Sequence, residues 1–159
     1  MERINRILHN PKYILSLQKN AECEKERVFC KHDVNHFLSV ARIMYISSLE
    51  KSIKIEKAII YATALLHDIG RYIQYTSDTP HEIASASLAK EILLTTGGFS
   101  SEEQSRILAA ISMHNSLNTK DQLTLLLQWA DHQSRNCFSC NMKSECKWAD
   151  EEKYREVLV

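Results

Sequence analysis

Six side chains able to bind a divalent cation recur along this chain, each beside residues that should face a core: His36, His67, Asp68, His81, His114 and Asp131. Imidazole and carboxylate ligands together suit Mn, Fe, Co, Ni or Zn better than Ca. The His67–Asp68 doublet is the most informative pair. It ends "KIEKAIIYATALLHD", an apolar run that would not bury a carboxylate without compensation. Adjacent residues lie about 100° apart on a regular helix and cannot face one centre. At a helix end both can turn inward, and Gly70 is expected to permit that turn. A lone buried His is usually a hydrogen-bonded core residue. An ordered set of six, spread over several amphipathic segments, points instead to a metal site built inside a helical bundle.

The elements that must position these residues read as helices throughout. Residues 2–20 form a first helix, with Ile4, Ile7, Leu8, Ile14 and Leu17 as its apolar positions and Pro11 interrupting or restarting it. Residues 31–49 present Val34, Phe37, Leu38, Ala41, Met44 and Tyr45 on one broad face. Residues 54–67 are apolar nearly all round, as in a buried central helix. Further helices are expected over 81–94, 102–114 and 121–134, with a short terminal one over 147–157. Ser100 or Ser101 can cap the helix after "TTGGF", with Glu103 or Gln104 closing a capping box. The fold class is therefore all-α, a bundle of about six or seven helices with a Cys-rich loop near its C-terminal end.

Composition agrees. The 159 residues fit a single domain, with a core over 30–135, and the 3 Gly and 2 Pro are few for a sheet-rich fold. Twenty basic residues balance twenty acidic ones, so no global field attracts duplex nucleic acid or an acidic membrane. No apolar run approaches the roughly 18 residues of a membrane span, and the charged N-terminal segment has no signal-peptide core. A cytoplasmic location is expected. In a reducing compartment clustered cysteines more often bind metal than pair as disulfides, and five cannot all pair. "CFSCNMKSEC" places Cys137, Cys140 and Cys146 in a C-x2-C-x5-C pattern. Cys30 is the expected fourth ligand, with Cys23 in reserve, and the knuckle would hold zinc or an iron–sulfur cluster.

The order His36, His67–Asp68, Asp131 resembles the HD superfamily of metal-dependent phosphohydrolases. The contexts "HFLSVARI", "LLHDIGR" and "WADHQSR" match as well, and the resemblance covers about residues 30–135. His81 and His114 resemble the additional histidines of small binuclear HD hydrolases. Those subgroups include the HD-GYP cyclic-dinucleotide phosphodiesterases and the symmetrical diadenosine tetraphosphate hydrolases. The Gly-Tyr-Pro signature is absent here, and Asn115-Ser116-Leu117 stands where the tetraphosphate hydrolases carry Thr-Thr-Gly.

The resemblance implies two divalent metals, iron or manganese first, with zinc, nickel or cobalt allowed. Asp68 would bridge them, with His36, His67 and Asp131 on one metal and His81 and His114 on the other. A hydroxide shared by the metals would attack a small phosphorylated substrate such as a nucleotide. Arg71 would bind phosphate, and His32 would reach the mouth of the site. His32–Asp33, a second His-Asp pair, lacks the preceding apolar run and is read as a decoy. Glu82 reads as a first-turn helix charge. Specificity is expected from loops 72–80 and 115–120. A homo-oligomer is compatible with this reading. Two other functions fit the same ligand order: a mixed-valent di-iron oxygenase, and a non-catalytic module sensing nucleotide or metal. The cysteine knuckle is not part of the common HD pattern and rests on spacing alone.

Overall fold

The computed structural model describes every residue except Tyr154, Arg155 and Leu158. Eight α-helices follow one another among the described residues, with no strand: α1 Glu2–Leu8, α2 Pro11–Cys23, α3 Val34–Glu50, α4 Lys57–Leu66, α5 Arg71–Thr76, α6 His81–Thr96, α7 Ser101–Ser112 and α8 Gln122–Gln133. Helix α4 is the centre. Residues 58–60 and 62–66 are all buried, and α4 packs against α1, α3 and α7. Phe37, Val40 and Met44 of α3, Ile107 and Ile111 of α7, and Leu123 and Leu127 of α8 close around it. Each such side chain contributes about 1.5–3 kcal/mol when fully buried.

Local signals set the helix boundaries. Asn10 caps α2, accepting hydrogen bonds from the Lys12 and Tyr13 amides, and Pro11 occupies the first helical position. The expected first helix is thus two. Asp33 caps α3, and Ser100 with Glu103 forms the capping box that opens α7. On α2 the buried stripe differs from expectation: Tyr13, Ser16 and Asn20 face inward, while Ile14 is exposed. The short α5 lies inside a segment read as a loop. The expected terminal helix over 147–157 is not formed where the chain is described. Only a single 3-10 turn, Asp150–Glu152, appears, and Tyr154 and Arg155 lie outside the described residues.

Helix α4 stops at Leu66, and residues 67–70 form a tight turn into α5. Two contacts fix that turn. Asn20, fully buried on α2, donates to the Asp68 carbonyl at 3.0 Å and accepts the Tyr72 amide at 2.8 Å. The Gly70 amide donates to Ser85 Oγ at 2.9 Å. Gly70 has φ −96°, which any residue can adopt, so conformational freedom is not why glycine stands there. A Cβ would lie 2.6 Å from the Ser85 nitrogen and 2.7 Å from the Ala84 carbonyl carbon. Glycine is needed because the α6 backbone passes against it.

Gly70→Ala should therefore push α6 away from the turn and cost about 1–3 kcal/mol of stability. Urea unfolding of the variant beside wild type measures this. Equal stability would mean that the turn and α6 have slack the contact distances deny.

Candidate metal centre

The six sequence-predicted residues converge. His36 comes from the first turn of α3, His67 from the end of α4, and Asp68 from the following turn. His81 is the first residue of α6, His114 lies two residues beyond α7, and Asp131 sits in the last turn of α8. Five helix ends and a turn thus point at one place. Two groups of ligand atoms lie within 4.8 Å of one another and could each hold a metal ion: His36, His67 and Asp68, and Asp68, His81 and His114. Asp68 belongs to both. Its Oδ2 lies 3.7 Å from His67 Nε2, and its Oδ1 lies 3.3 Å from His81 Nε2 and 3.6 Å from His114 Nε2. Asp131 Oδ1 completes the first group, 3.3 Å from His36 Nε2 and 3.8 Å from His67 Nε2.

The far ring nitrogens define which atoms face inward. His67 Nδ1 lies 2.7 Å from the Ala64 carbonyl and His114 Nδ1 lies 2.6 Å from the Ile111 carbonyl. His81 Nδ1 lies 2.7 Å from Gln74 Oε1. Each acceptor calls for a proton on Nδ1, which leaves the Nε2 lone pair aimed at the centre. This is the arrangement that orients metal-binding imidazoles. His81 Nε2 and His114 Nε2 then approach to 3.2 Å with lone pairs facing. His36 Nε2, His67 Nε2 and Asp68 Oδ1 are buried with no hydrogen-bond partner. Buried polar atoms are normally satisfied. A cation at the shared focus would satisfy all of them, so the residues fit a metal pair.

The electrostatics express the same demand. Burial opposes the charged form of Asp68, but His67, His114 and His32 hold its carboxyl well below the usual range. Burial likewise opposes ionised Asp131, which His36 and His67 hold well below the usual range. His67 is fully buried, which disfavours its imidazolium. Asp68 and Asp131 nevertheless raise it to about 9. His81 is pushed down to about 4, chiefly by burial.

Comparison with known proteins agrees with this geometry. The family profile described as HD domain matches residues 33–136. The chain belongs to the HD domain family. That family is one of metal-dependent phosphohydrolases, and its matched span contains all six converging residues. An uncharacterized protein of Clostridium beijerinckii is 44% identical over 153 residues, covering 96% of both chains. No solved structure matches.

Around the HD centre lies a cleft of about 820 Å³, lined by His32, His36, Asp68, His81 and Asp131 among others. Five cations also line it: Arg27, Lys31, Arg71, Arg135 and Lys147. Arg71 sits half-buried at the cleft wall; burial opposes its charge, and Asp68 and Tyr75 more than restore it. Arg71 Nε and Arg135 Nη1 are buried without a partner. His32 Nε2 stands 3.5 Å from Asp68 Oδ2, while its Nδ1 contacts the Glu24 carboxylate. Asp33, the other half of the decoy doublet, is only a helix cap, accepting the His36 amide at 2.9 Å. Glu82 does more than charge a first turn: it accepts from Asn115 Nδ2 at 3.1 Å and lies 3.3 Å from His81 Nδ1.

Several residues in the cleft wall or buried behind it escaped the sequence reading. Glu24 also accepts a hydrogen bond from Tyr75 at 2.7 Å, and its carboxyl is lowered to about 2, with His32 and Tyr75 overcoming burial. A signal for Asn20 and Glu24 existed: they continue the buried stripe Tyr13, Ser16, at spacings of three and four. Trp148 had no such signal. Its ring stacks under the Arg135 guanidinium at 4.0 Å and meets His132 edge-on at 5.2 Å. The expected specificity loops contribute less than this wall. Residues 71–76 are helical, supplying Gln74 and Tyr75, and only Asn115 of 115–120 lines the cleft. Of the cysteines, Cys30, Cys137, Cys140 and Cys146 line one cavity of about 480 Å³, and Cys23 does not. All five are free thiols, and no three of their sulfurs form a group as tight as the two at the HD centre among the described residues. None of the described helices is long and apolar enough to cross a membrane.

A cation entering the metal-free centre must displace the proton that His67 holds below about pH 9. The apparent affinity of chelator-stripped protein for Mn(II) should therefore keep rising as pH increases towards 9. An unperturbed imidazole would level off near neutrality. Manganese titrations at several pH values distinguish the two; a plateau above neutrality would remove the raised His67 from the account.

Proposed function

We propose that this HD domain is a phosphohydrolase that cleaves a small phosphoester, a nucleotide among the candidates, in the cytoplasm. Two divalent ions, iron or manganese, would be held by His36, His67 and Asp131 on one side and by His81 and His114 on the other, with Asp68 between. The observation that carries the reading is the Asp68 carboxylate, whose two oxygens each face a different set of imidazole nitrogens. When bound, the metals supply a water ionised near neutral pH and neutralise phosphoryl oxygens.

The remaining roles fall to the chain itself. Arg71 stays charged against the cleft wall and offers a planar fork to a phosphate group. Arg27, Lys31 and Lys147 surround it with positive charge, which favours an anionic substrate over the neutral substrate an oxygenase would accept. His32 is oriented by Glu24 through Nδ1, so its Nε2 can give or take a proton beside Asp68. Trp148 presents an aromatic surface in the cleft wall where a nucleotide base can stack.

The test joins metal analysis to phosphate release over a panel of nucleotides and simple phosphoesters. Wild type should carry about two iron or manganese ions per chain. Asp68→Ala should lose both, and phosphate release should fall more than about a hundredfold. Arg71→Ala should raise KM about tenfold or more with a smaller effect on kcat, as expected for loss of a charge-assisted contact. Phosphate release should be identical without oxygen. Oxygen consumption in place of phosphate release, or tight nucleotide binding with no turnover, would overturn the hydrolase reading.

A further inference from the structure

Beyond the HD centre, the four cysteines that share a cavity form a second cluster with no role in phosphoester chemistry. They come from two distant stretches of chain. Cys30 precedes α3, and Cys137, Cys140 and Cys146 follow α8. Cys137 opens a 3-10 turn, Cys137–Ser139, and the Cys140 amide donates back to the Cys137 carbonyl at 3.3 Å. In such a turn residues three apart stand on the same side, so the C-x2-C pair presents two thiols in one direction. A second turn, closed by the Glu145 amide on the Met142 carbonyl at 3.1 Å, leads directly into Cys146.

We propose that Cys30, Cys137, Cys140 and Cys146 bind one zinc ion as a tetrahedral tetrathiolate. The charge of the surroundings suits that assembly. A Zn(Cys)4 unit carries a net charge of about −2. Lys31, Arg135, Lys143 and Lys153 line the same cavity, against one carboxylate, Asp33, among its described lining residues. Arg135 Nη1 is buried there without an acceptor, and a thiolate supplies one. Four thiolates with no open position are the closed donor set of structural zinc.

The zinc would have a structural consequence for the cleft. Cys30 and Cys146 line both cavities. Cys30 stands two residues before His32, and Cys146 two residues before Trp148. The ion would therefore join the segment carrying His32 to the segment carrying Lys147 and Trp148, fixing one wall of the cleft. This inference stands on the cysteines alone and does not depend on what the HD centre catalyses.

The experiment is metal content by element on anaerobically purified protein: wild type, Asp68→Ala, Cys140→Ser and Cys23→Ser. The expected result is about one zinc per chain in wild type, retained in Asp68→Ala and Cys23→Ser and lost in Cys140→Ser. Cobalt replacement in wild type adds a reading that survives misfolding of the serine variant. A tetrathiolate site gives intense sulfur-to-cobalt charge-transfer absorption, and Asp68→Ala should keep it. Iron with matching acid-labile sulfide would replace the zinc assignment by a cluster. All five thiols titrating freely in zinc-supplemented wild type, where the site predicts only Cys23, or zinc unchanged in Cys140→Ser, would overturn the site itself. Loss of zinc in Asp68→Ala together with the HD metals would place it at the HD centre instead. Retained zinc with no hydrolysis would sink only the reading of the HD centre.

Discussion

The structure depends on a buried carboxylate that the surrounding side chains neutralise only in part. Asp68 is 3% exposed and sits at the tip of the most apolar helix in the chain. Such a charge is tolerable only when it is paired. Its neighbours are imidazoles whose far nitrogens are tied to Ala64, Ile111 and Gln74, so their near nitrogens offer lone pairs rather than protons. Protons provide partial relief, as the elevation of His67 to about 9 indicates. The donor set as a whole is acceptor-rich, and divalent cations are what it fits. The placement of the helices follows from bringing these ends together.

That requirement explains why the six converging residues occupy helix termini and the turn after α4. A helix interior presents one residue in three or four to a given neighbour. A terminus can turn adjacent side chains inward, and the chain must then be held so that it does not fray. Asn20 holds the turn from one side by bonding the Asp68 carbonyl and the Tyr72 amide. Ser85 and the closely packed α6 backbone hold it from the other through Gly70. The same contacts place His81, which opens α6, opposite Asp68. Packing around Gly70 and the spacing of the two histidine groups are therefore one constraint.

Much of this was legible in the sequence, for identifiable reasons. The six converging residues each adjoin an apolar run, and such runs dictate burial. The capping box at Ser100 and Glu103 is a local pattern and appeared as read. What stayed hidden depends on tertiary approach. Gly70 looked like a turn residue, yet its φ is ordinary and the reason for glycine is another helix. Ile14 looked apolar enough for the core, but Asn20 occupies the inward face because the turn at Asp68 needs its amide, with Ser16 buried on the same side. Helix α5 is too short to carry a periodic signal. The terminal segment has helical composition, but where it is described it makes only one 3-10 turn.

The cleft is consequently built in two styles. Its floor is made by helix ends locked by packing and buried hydrogen bonds, so the reacting atoms meet a fixed geometry. Its outer wall comes from the segment after α8, where short turns and half-buried side chains hold Arg135, Lys147 and Trp148. Rigid chemistry beneath a wall of irregular backbone is how a shared fold accommodates different substrates. Such a wall has little apolar area to keep it in place. Cys30 and Cys146 both line the cleft, so a metal tie between their segments would fasten that wall. On the proposed reading the two tasks would separate by position: metal binding at the ends of α3, α4, α6, α7 and α8, and substrate choice in the segment that follows α8.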